Sequence, residues 1–288
     1  MAFGTTVHGL ERMRIDAHQH FWKYSPANYA WISDKMEGLK RDFLPKDLKP
    51  LLIADGFNGS IAVQARQDLD ETRWLLTLAD NNEFIKGVVG WVDLCSPELP
   101  VQLEEFTANP KFVGVRHILQ DEPNDEFMLR PVFHVGIARL AEYGLTYDLL
   151  LHPRHLPVAV KLVRQFPKQR FVLDHIAKPG IADGLMNPWD RDIRELAKFD
   201  NVFCKLSGMV TEAHWKQWKP EDFRPYLDVV CEAFGEGRIM IGSDWPVCTL
   251  SASYAETVGI ATDYVKRAIP DETDNILGVN CAGFYGVR

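Results

Sequence analysis

The feature that most limits the fold of this chain is a rhythm. Short runs rich in β-branched and apolar residues recur at 14–17, 59–63, 87–92, 112–116, 146–151, 170–173, 202–205 and 238–241. Between them lie longer stretches with helical spacing, at 68–81, 97–109, 130–143, 155–165, 189–199, 221–234 and 251–268. Leu75, Leu76, Leu78 and Ala79 give the first of these an apolar stripe, and Gly144 and Gly235 stand where helices should stop. Eight buried strands alternating with helices predict a single parallel (β/α)8 barrel of the α/β class. An open doubly wound sheet is the rival, but no GxGxxG follows the first strand. The segment 21–55 is long for the first connection. It is read as an inserted loop carrying Trp22, Tyr29 and Trp31, then a helix near 44–54, with room to distort the barrel. Residues 1–12 are read as a short extension before a barrel domain at 13–288.

Composition narrows the function. A net charge of −8 disfavours nucleic acid and anionic membrane as partners, though a local pocket can still take an anion. The five cysteines include no CxxC pair, so free thiols in a reducing compartment are expected. With no apolar run near the length of a membrane span and no secretory h-region at the start, the expected location is the cytoplasm, as a monomer or homodimer.

Polar residues gather at the predicted strand ends. Asp16-Ala17-His18-Gln19-His20 closes the first strand, His117 the fourth, His152 the fifth, Asp174-His175 the sixth and Ser243-Asp244 the eighth. Barrel sites form at the C-terminal ends of the strands, so these groups should share one rim. His18 and His20 are two apart and should face the same way, ready to share an ion. Imidazoles with a carboxylate are a zinc ligand set. Any one such histidine is better explained as a hydrogen-bonded strand-end residue than as a ligand; the weight lies in the group. Asp16 is read as pointing away, as a structural acceptor, and Asp174 is read in the same way. His134, His155 and His214 fall in helical or loop segments and are assigned surface or capping roles.

At this point the residues resemble a known family. The histidine pair, His152, His175 and Asp244 look like the amidohydrolase superfamily. The stretches Asp16-Ala17-His18-Gln19-His20-Phe21-Trp22, Gly114-Val115-Arg116-His117, Asp174-His175-Ile176-Ala177-Lys178-Pro179, Lys205-Leu206-Ser207-Gly208 and Gly242-Ser243-Asp244-Trp245-Pro246 resemble its sugar-acid lactonase branch. The likeness runs from Arg14 to about Gly286. It implies a hydrolase that opens a sugar-acid lactone, with L-fuconolactone or a close relative as substrate. His117 stands where binuclear members carry a carbamylated lysine, so a two-metal site is not expected. The resemblance also implies variable metal dependence, with one divalent ion, zinc, that catalysis can dispense with.

In this reading Asp244 is the general base and His175 hydrogen-bonds the water or the developing oxyanion. His18, His20, His152 and Asp244 would surround a metal ion. Arg116, His117 and Lys178 are candidate substrate donors, with surface or structural cations as the alternative for Arg116 and Lys178. Trp22, Trp31 and Trp245 are candidate walls for a sugar, with core packing as the alternative. Gln64 and Arg66 are candidates for binding hydroxyls or a carboxylate. Two other functions stay open: a decarboxylase of aromatic or muconic acids on the same scaffold, and a non-catalytic sugar-binding barrel.

Overall fold

The structure is a computed structural model and describes residues 13–288; the extension assigned to 1–12 lies outside the described residues. Eight strands run parallel in chain order: β1 (Ile15–Gln19), β2 (Gly59–Val63), β3 (Ile85–Gly90), β4 (Phe112–His117), β5 (Thr146–Leu149), β6 (Phe171–Leu173), β7 (Val202–Leu206) and β8 (Ile239–Ile241). The ring closes where Asp244 N donates to His18 O at 2.8 Å and His20 N donates to Trp245 O at 2.6 Å. This is the expected (β/α)8 barrel. The outer helices are α1 (Pro45–Ala54), α2 (Leu69–Asp80), α3 (Leu99–Thr107), α4 (Pro131–Glu142), α5 (Leu156–Gln165), α6 (Trp189–Ala197), α7 (Met209–Glu212), α8 (Pro220–Phe234), α9 (Tyr254–Ala268) and α10 (Asn280–Tyr285).

Local chemistry sets the helix ends. Asp68 accepts from Asp70 N ahead of α2, and Ser253 with Glu256 forms a capping box at α9. Proline leads α1 and α4, where its missing N–H costs nothing. The turns at Gly144 (φ +70°) and Gly235 (φ +71°) are left-handed. Among the described residues no helix is long and apolar enough to cross a membrane.

Two apolar layers hold the barrel. Ile15, Ala17, Ile61, Val63, Val89 and Met240 belong to the inner one, and Cys281, Phe284 and Tyr285 of α10 close it from the strands' N-terminal side. The larger layer lies between strands and helices. Register shifts occur in the pairings of β1 with β2, β2 with β3 and β3 with β4. Each slips the alternation of side chains by one residue. In β1 the shift falls between Asp16 and Gln19. Asp16 therefore points outward and accepts from Ser243 Oγ (2.6 Å) and Tyr254 Oη (3.2 Å), while His18 points inward. Plain alternation would put both on one face.

Packing at one glycine is tight enough to read out. A Cβ on Gly136 of α4 would meet Leu94 O at 2.4 Å, whereas one on Gly259 of α9 would meet nothing within 4 Å. Alanine gains about 1 kcal/mol over glycine in a helix interior. Overpacking against backbone costs about 1–3 kcal/mol. Gly259→Ala is therefore expected to raise, and Gly136→Ala to lower, the midpoint of denaturant unfolding. Equal shifts in both would show that the α4 contact is loose.

Candidate active site

Four consecutive residues after β6, His175 to Lys178, have left-handed backbone, with φ between 48° and 60°. Chirality opposes this by about 1–2 kcal/mol per residue. The turn is held by Lys178 N to His175 O (2.8 Å), by Trp189 Nε1 to Ile176 O (2.7 Å), and by complete burial of Ile176 and Ala177. It turns His175 into the barrel mouth, where Nδ1 meets Ser207 Oγ at 2.9 Å. Gly208 lies against the same ring. A Cβ there would come within 2.5 Å of His175 Nδ1. Asp244 is also left-handed, at φ +55°.

These turns bring His18, His20, His175 and Asp244 together. Asp244 Oδ1 is 3.3 Å from His20 Nε2 and 3.8 Å from both His18 Nε2 and His175 Nε2. His18 Nε2 and His20 Nε2 are 3.2 Å apart. The tautomer of His20 follows from its partner. His20 Nδ1 faces Val63 O at 2.8 Å, and a carbonyl only accepts, so Nδ1 carries the hydrogen. His18 Nδ1 lies between Lys205 Nζ at 3.2 Å and Asp174 Oδ1 at 3.3 Å, while Arg116 Nη1 donates toward its Nε2 at 3.3 Å. Two imidazole nitrogens and a carboxylate oxygen therefore face one another, an arrangement able to hold a cation among them. Tetrahedral ligands about 2.0–2.1 Å from zinc lie about 3.3 Å apart, against separations here of 3.2, 3.3 and 3.8 Å. The donor set His18, His20 and Asp244 fits one divalent metal ion, with Val63 O and Asp174 fixing the rings from behind. A second group, His18, Asp174 and His175, shares His18.

Below the cluster lies a buried charge network. Lys205 Nζ pairs with Asp148 Oδ2 at 2.5 Å and Asp174 Oδ1 at 3.1 Å, and Arg116 Nη1 pairs with Asp174 Oδ2 at 3.0 Å. Burial pushes Asp174 up, but Lys205, His18 and Arg116 outweigh it and hold the carboxyl well below the usual range. Burial lowers His18 far below an ordinary imidazole and takes His175 to about 4, so both rings are neutral at pH 7. Asp244 is ionised: burial raises it, and the imidazoles of His175, His20 and His18 facing it pull it well below the carboxylate range.

Above the cluster opens a cleft of ≈ 330 Å³, lined among others by His20, Arg116, His175, Lys178, Glu212 and Asp244. Of the expected aromatic walls, only Trp31 lines it. Trp22 is fully buried with Nε1 on Arg41 O, and Trp245 packs on Phe21 and Phe43; both are core. The second aromatic wall is Trp215, which sequence reasoning missed.

Four other expected site residues stand elsewhere. His152 belongs to neither ligand group: β5 ends at Leu149, two residues earlier than expected, and His152 sits in the following turn with its ring 6.1 Å from that of His155. His117 follows inward-facing Arg116 on β4 and so faces out, bonded to Glu122 at 2.6 Å and stacked on Phe127. The inward strand-four group is therefore the Arg116 guanidinium. Gln64 is fully buried and donates to Arg116 O at 3.1 Å, a strut rather than a cleft group. Arg66 pairs with Asp68 at 3.0 Å and lies over Tyr29, tying down the inserted loop.

Comparisons with known proteins agree with this geometry. The model of the family described as amidohydrolase matches residues 15–287. An L-fucono-1,5-lactonase of Burkholderia multivorans is 43% identical over 286 residues, covering 96% of each chain. One of Burkholderia ambifaria is 38% identical over 280 residues, covering 95% of this chain and 96% of its own. A crystal structure of an amidohydrolase from Burkholderia multivorans with bound zinc matches at a TM-score of 0.92 and 40% identity, over 96% of this chain and 100% of that one.

Proposed function

The chain belongs to the amidohydrolase family, and on that premise we propose that it opens a sugar-acid lactone by hydrolysis, with L-fucono-1,5-lactone or a close relative as substrate. The observation that carries this reading is the ionised Asp244 at the floor of a cleft whose polar groups suit an uncharged ester, in a chain 43% identical to a lactonase along nearly its whole length. Water needs a base, and Asp244 is the carboxylate in reach of the three imidazoles. It takes one proton from water as the oxygen attacks the lactone carbonyl. The ring C–O bond then breaks, and the same proton passes to the leaving ring oxygen. The product acid ionises and releases one proton to solvent.

Arg116 and Lys178 supply donors for the lactone oxygens, and His175 for the developing oxyanion. Arg116 is aimed by Asp174 and Lys178 by its left-handed turn. Trp31 and Trp215 give flat apolar walls for sugar C–H faces. A divalent ion held by His18, His20 and Asp244 would lower the pKa of bound water and polarise the carbonyl.

The test is a pH-indicator screen of aldonolactones with the purified protein. Acid release above the spontaneous rate, greatest for L-fucono-1,5-lactone or a stereochemical neighbour, is expected. No acceleration for any aldonolactone, or CO₂ release from an aromatic acid instead, would overturn the reading.

The neutral histidines give the pH profile. kcat/KM is expected to stay level from pH 7.5 to near 5 and to fall as pH drops through about 4, where His175 takes a proton. Stability follows the same sign. The folded imidazole lies below its ordinary 6.5, so its contribution is full above that value and shrinks as pH falls toward about 4. A profile whose acid limb sits near 6.5 would show that His175 is not buried as described.

A further inference from the structure

Glu212 has no role in the reaction derived above, yet it stands in the cleft. It is the last residue of α7, the short helix that follows Gly208, itself packed on the His175 ring. Its side chain lines the cleft with Lys178 and Asp244, and among the described residues it has no hydrogen bond or salt bridge. The lining of the cleft also includes Gln120 and Asp121. A carboxylate that lines a cleft without a hydrogen-bonded partner is free to accept from a ligand that donates.

We propose that Glu212 is the specificity-determining residue of the cleft: its carboxylate accepts from the hydroxyl groups of an uncharged polyhydroxylated lactone and repels lactones that carry a carboxylate. The proposal rests on the lactonase reading and adds the substrate class. Two physical points support it. A carboxylate accepts charge-assisted hydrogen bonds from hydroxyls, which are stronger than neutral ones. A site built to bind a hydroxyl also rejects an analogue that lacks it, because its own polar group is left unpaired. Glu212, Asp121 and Asp244 set three carboxylates against Arg116 and Lys178, and Arg116 is already paired with Asp174. An anionic ligand therefore meets net repulsion from the lining as a whole, with Lys178 the cation that acts on Glu212. The same repulsion acts on the aldonate once the ring has opened, which favours its release.

The experiment compares the parent protein with Glu212→Gln, which keeps shape and removes charge. One arm reads kcat and KM on L-fucono-1,5-lactone and on an analogue lacking one ring hydroxyl. A second arm reads Kd by calorimetry in the Asp244→Asn background, with and without Glu212→Gln, for the same lactone and for a pyrone dicarboxylate. The expected result is a loss carried by KM, about tenfold or more on the full lactone and smaller on one deoxy analogue. The preference in Kd for the neutral over the carboxylated ligand should shrink by a similar factor. A loss confined to kcat would make Glu212 a proton-transfer group and overturn the proposal. So would an unchanged Kd ratio. If the parent hydrolyses no lactone, the functional reading falls, while the Kd arm still decides whether Glu212 selects against charge.

Discussion

Asp244→Asn is expected to lower kcat for lactone hydrolysis by about 10²–10⁴-fold and to leave the barrel folded. Asparagine is the informative replacement because the side chain at this position has three separate duties. Its backbone closes the barrel through Asp244 N to His18 O, which asparagine keeps. Its φ of +55° lies in the left-handed region, which asparagine tolerates better than alanine does. Its carboxylate faces three imidazoles and offers both a basic oxygen and an anionic metal ligand, whereas the amide is no base and only a weaker, neutral ligand. Structure and charge are thus separated by one substitution. Steady-state rates, taken with circular dichroism and a thermal melt, are the measurement. Activity within a few fold of the parent would remove Asp244 from the role of base, and the cluster would then have to activate water through His175.

Much of this arrangement was legible in the residues. All eight strands are where the β-branched runs put them, because buried parallel strands must be apolar on both faces and so differ sharply from the helices. The convergence of His18, His20, His175 and Asp244 follows from the barrel rule that strand ends share a rim. What failed failed at the level of one residue. His117 and Gln64 sit at or just after a strand end, as expected, but side-chain direction depends on the register shifts in the first three pairings, and no pattern in the sequence announces a bulge there. His152 fails because β5 stops early. Trp22 and Trp245 were open between wall and core, and the deciding fact is how the inserted loop folds back onto the barrel through the Trp22–Phe43 bridge. The most informative missed residue is Lys205. A lysine inside the apolar run Val202–Leu206 needs a buried counter-charge, and Asp148 in β5 and Asp174 after β6 were available to provide it.

That lysine gives the second large effect. Lys205→Met is expected to cost about 3–5 kcal/mol of folding stability at neutral pH, the usual loss when one member of a buried ion network is removed. Methionine keeps length and apolar bulk, so the change isolates the charge. Lys205 is fully buried, and its ammonium lies between Asp148 and Asp174. Asp174 would keep Arg116 at 3.0 Å. Asp148 would keep only the hydroxyl of Tyr285, at 2.8 Å. Burial already pushes the Asp148 carboxyl up to about 6 despite Lys205; without the ammonium it must rise further. The sign of the pH dependence follows. A carboxyl raised in the folded state adds stability below its unfolded value, and that contribution disappears as pH climbs through the folded value. The deficit of the variant should therefore be largest near pH 7.5 and narrower near pH 5, where Asp148 takes a proton and no longer needs a partner. Adding Asp148→Asn to Lys205→Met should recover part of the loss at neutral pH and little at acid pH, a coupling that a simple packing defect would not show. Denaturant unfolding of the parent, Lys205→Met, Asp148→Asn and the double variant at both pH values measures it, and a deficit under about 1 kcal/mol, or one that is equal at the two pH values, would mean that Lys205 does not carry the charge balance beneath the site.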